Sequence, residues 1–545
     1  MKILAAMMLL AVAGSWLLPS PVEAQILRRR QRQFAPLPRA APLARPAAPA
    51  VAPAARPASP GLAVPLDQDK YRNAERNYRR ALAALEQGGS QQELAATLSQ
   101  AGILATVLGK YDDAESYLRR WERLREHLPP RDQFEGLHHL AILHFKQGNY
   151  PLSAKLYLDA IELGNKNQLG DVHAAEINLA KLHAVAGNVA AASKRLSLMS
   201  DLPRSGDQAA SGHYLEARIL DVSGLIASFQ CRHAAAVEKL KGALAKKERL
   251  HRSDLTPLVH SLMGLATAYQ AQGNMAGARP LAERALGIQR GFLAQNHFET
   301  GRTLRLLALL ALDEGNGKKA LDHCGQALSV QEIVFDAHPD VADTFHARAI
   351  VHWSQGRLDE ARKDCQRARS VRQRWLLRIG KEGKDTSDDE PWMAGLLHTE
   401  AFIAQCGGDA EKARELFEQA QNIFSHKEHP CRADSLLGLA VVCVSQGEQA
   451  AGSYNQDPER LYREWWQLSW KSLDNAQLAY RFYWLATVFR TNGRTAEARW
   501  CDRHARAIHD WFKADQRAYG SDVAQLEEQL RTLGANAMSR PVGSH

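Results

Sequence analysis

Small apolar residues recur at fixed distances around short polar segments that contain a glycine. Three such segments are Gln272-Gly273-Asn274, Glu314-Gly315-Asn316 and Gln355-Gly356-Arg357. An alanine stands seven residues before each of these glycines, and two more stand five and twelve residues after it. Small side chains let two helix backbones pack closely, and a glycine can end a helix in the left-handed conformation without a Cβ penalty. The pattern predicts a repeating unit of helix, glycine loop and second helix.

The same template fits ten places along the chain. Every residue seven before the anchor is Gly or Ala, and every residue five after it is Ala, Ser or Gly. Cys231 replaces the anchor glycine in one repeat, and Trp121, Met199 and Glu459 replace the last alanine in three others. We therefore expect about ten stacked repeats. The anchors of repeats 1 to 10 are, in chain order, Gly109, Gly148, Gly187, Cys231, Gly273, Gly315, Gly356, Gly408, Gly447 and Gly493.

These columns of small residues resemble the tetratricopeptide repeat, although the period is mostly 39 to 46 residues where about 34 is usual. The longer period is similar to the kinesin-light-chain type of repeat. The resemblance is most specific between about 255 and 375, where His338-Pro339-Asp340-Val341-Ala342 is followed by Leu358-Asp359-Glu360-Ala361 and a weaker copy starts at His297. It implies an all-α, right-handed superhelical solenoid of about ten helix-turn-helix repeats with terminal capping helices. In such arrays the first helix of each repeat lines a concave groove.

The ends of the array and one long spacing divide the chain further. Ala74 and Ala81 lie seven residues apart and predict a lone helix that caps an array over 67–376. Gly356 and Gly408 are 52 residues apart, with the excess in an acidic segment, so we expect a loop over 377–394. We expect tryptophan-rich repeats over 395–520, and a polar capping helix with a disordered tail over 521–545.

The N-terminal segment has the pattern of a signal peptide. Lys2 precedes an apolar run over 3–18, and Val22-Glu23-Ala24 supplies a small-residue cleavage site. We therefore expect a signal peptide over 1–24 and export to the periplasm or the outside. Arginines follow Ala24 closely and resist translocation, so an uncleaved membrane anchor is the alternative. Residues 25–66 are rich in Ala, Pro and Arg, which predicts an extended, disordered linker.

The positive charge of the chain is concentrated at its N-terminus. Residues 1–56 hold eight basic residues and one acidic residue, so they account for +7 of the total net charge of +9. The body carries only +2, which does not suggest a basic face for nucleic acid, and we expect no such partner. The arginine-rich tail is expected to be a spacer, with peripheral contact to an anionic membrane or envelope as the alternative.

The sequence contains no motif that predicts catalysis. It lacks a glycine-rich phosphate loop, a His-Glu-x-x-His helix and a Gly-x-Ser-x-Gly elbow. Cys501 and His504 have a spacing able to share a metal, but a four-ligand set is not visible, so we expect no metal and no cofactor. Cys324 and Cys365 occupy equivalent sites in adjacent repeats, whose helices pack about 8–10 Å apart. That separation is too long for a disulfide, and we expect both thiols in the core.

A stripe along the first helices is the candidate partner site. Residues 13, 10, 6 and 3 before each anchor lie on one helical face. Its mixture of apolar and charged side chains suits an extended peptide or a partner helix. Arg302 and Arg305 together could bind a carboxylate. The candidate groove residues are His260, Arg302, Arg305, Asp343, His346, Trp353, His398, Phe402, Tyr480 and Tyr483.

Six of the eleven tryptophans lie near the C-terminus. We expect them to form an aromatic core, and the alternative is a carbohydrate- or cell-envelope-binding module that uses their side chains. The sequence as a whole favours an exported, non-enzymatic scaffold that binds a protein or peptide in its concave groove. The six residues are Trp465, Trp466, Trp470, Trp484, Trp500 and Trp511.

Overall fold

The computed structural model describes residues 68–169, 172–199, 209–230, 232–250, 255, 257–272, 274–293, 297–380, 390–423, 430–446, 482 and 485–514. The predicted signal peptide (1–24), linker (25–66) and C-terminal cap (521–545) lie outside these ranges. Four of the C-terminal tryptophans do so as well. Within the described ranges, no helix has the length and hydropathy to cross a membrane.

The described chain consists of α-helices joined by short loops, and these ranges contain no β-strand. The helices are α1 Gln68–Glu86, α2 Gln91–Val107, α3 Tyr111–Leu124, α4 Pro130–Lys146, α5 Tyr150–Lys166, α6 Val172–Val185, α7 Val189–Ser197, α8 Ala209–Phe229, α9 His233–Leu250, α10 Leu258–Ala271, α11 Met275–Phe292, α12 Phe298–Asp313, α13 Gly317–Val334, α14 Pro339–Ser354, α15 Leu358–Arg378, α16 Glu390–Cys406, α17 Ala410–Ile423, α18 Pro430–Gln446 and α19 Thr495–Ala514.

Helices α2 to α17 form eight consecutive pairs, one for each of repeats 1 to 8. The two helices of a pair pack against each other, and each pair stacks on the next. Helix α1, which contains Ala74 and Ala81, packs against α2 at the N-terminal end. A last pair is formed by the helical residues 485–491 and α19. The fold is therefore the all-α superhelical solenoid that the small-residue pattern predicts.

The loop between the two helices of a repeat is specified by a glycine and the polar residue after it. Seven anchor glycines have φ between +74° and +91°, a conformation in which a side chain is strained. The next residue often caps the second helix, as when Asn149 accepts the N–H of Leu152 and Asn316 accepts that of Lys319. The seven glycines are Gly109, Gly148, Gly187, Gly315, Gly356, Gly408 and Gly493.

The columns of small residues lie where the two helices of a repeat cross. Ala266, Ala308 and Ala349 are fully buried. Gly102 occupies the same column, and a Cβ there would lie 2.5 Å from the side chain of Leu118 in the opposite helix. The helices therefore approach so closely that this column accepts nothing larger than Ala, and at Gly102 only glycine.

Candidate functional site

Successive turns of the superhelix touch each other, because the glycine loop of repeat 1 contacts the N-terminus of α12, five repeats later. In this first inter-turn contact, His297 Nε2 lies 3.0 Å from the carbonyl oxygen of Val107. Tyr111 packs on Phe335, with 5.1 Å between the ring centroids. Gly109 makes room for the contact, since a Cβ there would lie 2.7 Å from the His297 ring.

A second inter-turn contact repeats this arrangement between repeats 2 and 7. His338 Nε2 lies 3.2 Å from the carbonyl oxygen of Lys146. Tyr150 packs edge-on against Trp375 at 5.8 Å, and the Trp375 indole N–H donates to the carbonyl of Gly148 at 2.9 Å. The histidines of the two contacts both stand 18 residues before their anchor glycine, and both tyrosines stand two residues after theirs. The two contacts therefore use equivalent repeat positions.

Each of the two histidines also caps its own helix, and this second hydrogen bond determines which ring nitrogen carries the proton. His297 Nδ1 accepts the N–H of Glu299, and His338 Nδ1 accepts that of Asp340. Because Nδ1 is an acceptor, Nε2 carries the proton and donates it to the distant carbonyl. Burial lowers the pKa of His338 to about 3 and also lowers that of His297, so both rings are neutral near pH 7.

The third equivalent position, at the loop of repeat 3, borders a cavity of about 470 Å³. The part of the chain that the structure describes forms no histidine contact there. Val189 stands where the first two loops have tyrosine, and Glu390 stands where the first two contacts have histidine. The cavity is bounded by both superhelical turns. Its walls include Val185, Ala186 and Asn188 on one side and Leu376, Ile379 and Trp392 on the other.

One end of the cavity is lined by ion pairs. Arg302 Nε donates to Asp340 Oδ2 at 2.6 Å. Arg305 lies 3.1 Å from a carboxylate oxygen of Asp343 and donates to the Asp340 carbonyl at 3.1 Å. Burial raises the pKa of Asp343. Burial acts in the same direction on Asp340, but Arg302 beside it lowers the pKa of that carboxyl to about 2. At neutral pH Asp340 is therefore charged.

A third arginine enters the cavity between two tryptophans. The Arg372 guanidinium lies 4.3 Å from the ring centroid of Trp375 and 5.0 Å from that of Trp392. The indole N–H of Trp392 donates to Asp343 at 2.9 Å. The cavity wall thus holds three arginines and two aspartates, an excess of one positive charge among aromatic side chains.

More charged groups lie on the concave side near this end. Lys146 Nζ pairs with Glu299 at 2.7 Å across the two superhelical turns. The pKa of His260, an exposed residue, is lowered well below its usual range. The larger cause is the nearby ammonium of Lys181, and the second is desolvation on the concave side. Burial in turn lowers the pKa of Lys181 to about 7. Mixed charges therefore continue along the concave side beyond the cavity itself.

Four of the candidate groove residues lie around the cavity or on the same concave side. Arg302, Arg305 and Asp343 line the cavity wall, and His260 lies near Lys181. The remaining described candidates do not reach the cavity. Tyr480 and Tyr483 lie outside the described residues.

The first helices bury the other candidates against one another. Trp353 is fully buried and stacks on Phe402, with ring centroids 5.5 Å apart. His346 and His398 are buried and hydrogen-bond to hydroxyl groups of the following repeat at 2.8 and 2.6 Å. Only the first turns of these helices border the open space, because their C-terminal halves pack directly on neighbouring repeats. That the candidate residues bind a partner stays a prediction.

The sequence pattern did not point to Tyr150, Arg372, Trp375 and Trp392, although all four line the cavity. Tyr150, Arg372 and Trp375 lie on second helices, and Trp392 lies before the stripe of α16. The search for a groove along the first helices therefore did not include them. One signal was present, since a tyrosine two residues after the anchor occurs in repeats 1 and 2 only. That restriction marks the two repeats whose loops meet the next superhelical turn.

The described residues contain no group of three or more metal-binding side chains placed to hold an ion. Cys501 and His504 are buried, and His504 Nδ1 lies 2.9 Å from the carbonyl oxygen of Trp500. Cys324 and Cys365 are buried and have free thiols. Burial raises the pKa of Cys324 to about 12, so its thiol is unreactive at neutral pH.

Paired helices, glycine loops and a closed stack of repeats define a superhelical helical-repeat protein. Residues 257–333 and 299–374 match the family described as Tetratricopeptide repeat. This part of the chain therefore contains tetratricopeptide repeats. No curated protein sequence matches the chain.

Three solved structures illustrate the similarity in the succession of helices. A Rap protein complexed with Competence and Sporulation Factor is 14% identical, covers 83% of this chain and 100% of its own, and gives a TM-score of 0.43. Aspartyl phosphate phosphatase F from Bacillus subtilis is 15% identical, with 79% and 97% covered and a TM-score of 0.41. A tetratricopeptide repeat protein from Parabacteroides merdae is 15% identical, with 56% and 98% covered and a TM-score of 0.34.

Proposed function

We propose that the protein is a non-enzymatic scaffold that binds a peptide segment of a partner protein in the cavity between its two superhelical turns. The observation that carries the proposal is the cavity itself, because both turns contribute to its walls. A repeat array that encloses such a space can surround an extended segment instead of touching it on one side only.

The lining of the cavity favours a segment with both apolar and acidic residues. Leu376 and Ile379 supply an apolar wall, and the aromatic rings of Trp375 and Trp392 lie beside them. Three arginines against two aspartates leave one positive charge in excess, which favours an anionic side chain or a terminal carboxylate.

We further propose that the scaffold is exported and that its proline-rich N-terminal linker sets its distance from the membrane or envelope. The support is the cleavage pattern at Ala24 and the composition of residues 25–66. N-terminal sequencing of the protein from fractionated cells tests this. A mature chain that begins at Gln25 outside the cytoplasm is expected, and an intact Met1 in the cytoplasm would contradict it.

A selection from a library of random peptides tests the binding proposal. Ala154 lines the cavity and is half-buried, so Ala154→Trp fills the space without touching the ion pairs. Ala190 lies on α7 and is exposed, which makes Ala190→Trp the matched control. We expect peptides that bind the wild type and the control but not Ala154→Trp, as measured by fluorescence anisotropy. Peptides that bind all three proteins equally would place the binding site elsewhere.

A further inference from the structure

In both inter-turn contacts a backbone carbonyl in the glycine loop accepts the histidine N–H, and the loop of repeat 3 has a carbonyl at the same position. Val107 and Lys146 each stand two residues before their anchor glycine, and each carbonyl receives a histidine N–H from the next superhelical turn. Val185 stands at the same place in repeat 3 and lines the cavity. Among the described residues, neither the Val185 carbonyl nor that of Ala186 accepts a hydrogen bond from the second superhelical turn. The cavity therefore borders an acceptor that the fold itself leaves open.

The donor side changes its chemistry at the same place. His297 and His338 cap the N-termini of α12 and α14 and supply the donors, whereas Glu390, the first residue of α16, stands at the equivalent distance before its anchor glycine. A glutamate has no ring N–H of the kind that the two histidines donate. The second contact also uses an indole donor, from Trp375, and a guanidinium donor, from Arg378 to the carbonyl of Gln147 at 2.8 Å. In both contacts a histidine ring N–H donates to a loop carbonyl, and in the second an indole ring and a guanidinium do so as well.

Aromatic and apolar side chains line the space at the third position. Trp375 and Trp392 stand on one wall, and Leu182 and Val185 stand on the other. Aromatic side chains pack well against such surfaces, and an indole or imidazole N–H usually finds an acceptor when it is buried. An aliphatic side chain would fill the same space but would leave the acceptor without a donor.

From these observations we infer that the bound segment supplies the third inter-turn contact. It inserts a tryptophan or histidine side chain into the cavity, and the ring N–H donates to the Val185 or Ala186 carbonyl. The partner takes the place that His297 and His338 take in the first two contacts, and it joins the two superhelical turns at a point where the described residues form no such hydrogen bond. This inference rests on the proposed function, because it requires a segment in the cavity.

The peptides selected on the wild-type protein provide the test. We expect tryptophan or histidine at one fixed position among the peptides that Ala154→Trp rejects. For a tryptophan peptide, replacement by 1-methyltryptophan removes the N–H and keeps the ring, and 5-methyltryptophan adds the same methyl group but keeps the N–H. The 1-methyl peptide should bind about fivefold more weakly or worse, as expected for one lost hydrogen bond. The 5-methyl peptide should lose much less.

The outcomes separate this inference from the proposed function. A selection that yields no cavity-dependent peptide removes the proposed function, and the inference with it. Cavity-dependent peptides without a donor-bearing ring would overturn the inference and leave the proposed function standing. Equal weakening by the two methyl groups would do the same, because it would show that ring size and not the N–H decides binding.

Discussion

The histidine of the second inter-turn contact can be changed so that one of its two roles is kept. His338 caps α14 through Nδ1 and reaches the Lys146 carbonyl through Nε2. Asparagine is among the best N-cap residues, but its side chain is too short for the second bond. His338→Asn should therefore keep the cap and remove the contact, whereas His338→Ala should remove both.

The structure gives the size of the effect. The lost inter-turn hydrogen bond contributes about 1 kcal/mol net. The ring also packs edge-on against Phe298 at 4.6 Å and stacks on Phe335 at 5.3 Å, and each such pair contributes about 0.5–1.5 kcal/mol. We expect His338→Asn to lower the free energy of unfolding by about 2–4 kcal/mol, and His338→Ala by about 1 kcal/mol more, because the cap is lost too.

Urea titration measures the free energy, and a zero-length crosslink reports the contact between the superhelical turns. Lys146 and Glu299 form an ion pair across the two turns at 2.7 Å, so carbodiimide should join them in the wild type. His338→Asn should reduce this crosslink. The pair Lys246 and Glu216, at 2.9 Å within repeat 4, should crosslink equally in both proteins.

Two results would refute this reasoning. One is an unchanged free energy and crosslink in His338→Asn, which would mean that the contact does not hold the superhelical turns together. The other is an equal loss in His338→Asn and His338→Ala, which would mean that the cap contributes nothing. Asn316→Ala is the control, since it removes a cap away from both contacts and should cost about 1 kcal/mol without changing the crosslink.

Other predictions concern the core. Burial lowers the pKa of several histidines to about 3 or 4, while in the unfolded chain they titrate near 6.5. These groups therefore contribute their full stability above pH 6.5. As the pH drops from 6.5 through 4, protons bind the unfolded chain first and the melting temperature should fall. Gly136→Ala should destabilise by about 1–3 kcal/mol, because a Cβ would lie 2.0 Å from the Trp121 ring. Gly287→Ala, which meets nothing within 4 Å, should stabilise α11 by about 1 kcal/mol in the same urea titration. Mass spectrometry after brief alkylation should find half-buried Cys443 modified before buried Cys324. The histidines are His138, His139, His338, His346 and His504.

The repeat unit could be predicted because about 40 residues contain all that specifies it. A glycine such as Gly148 ends the first helix, Asn149 caps the second, and small residues such as Ala141 and Ser153 meet where the helices cross. Each of these signals is local. A short pattern search along the chain was therefore sufficient to place the helix pairs.

The contacts between superhelical turns could not be predicted in this way. They depend on a small rotation between adjacent repeats that accumulates over five of them. No single residue or local motif specifies that angle. The tightness of the winding also explains why Arg302 and Arg305 line the cavity, while Trp353 and Phe402 of the same predicted stripe stack in the core. A wider superhelix with the same sequence pattern would have exposed them.

Val107 and His297 are 190 residues apart along the chain. This separation determines the delay between the synthesis of the two contact partners. A ribosome that adds about 5–20 residues per second produces the histidine roughly 10–40 seconds after the carbonyl that it binds. Repeats 1 and 2 can stack as they emerge, but Tyr111 and Tyr150 stay exposed until repeats 6 and 7 have been synthesised. Closure of the superhelix is therefore a late event, and the nascent chain presents these two aromatic side chains to whatever chaperones it meets first.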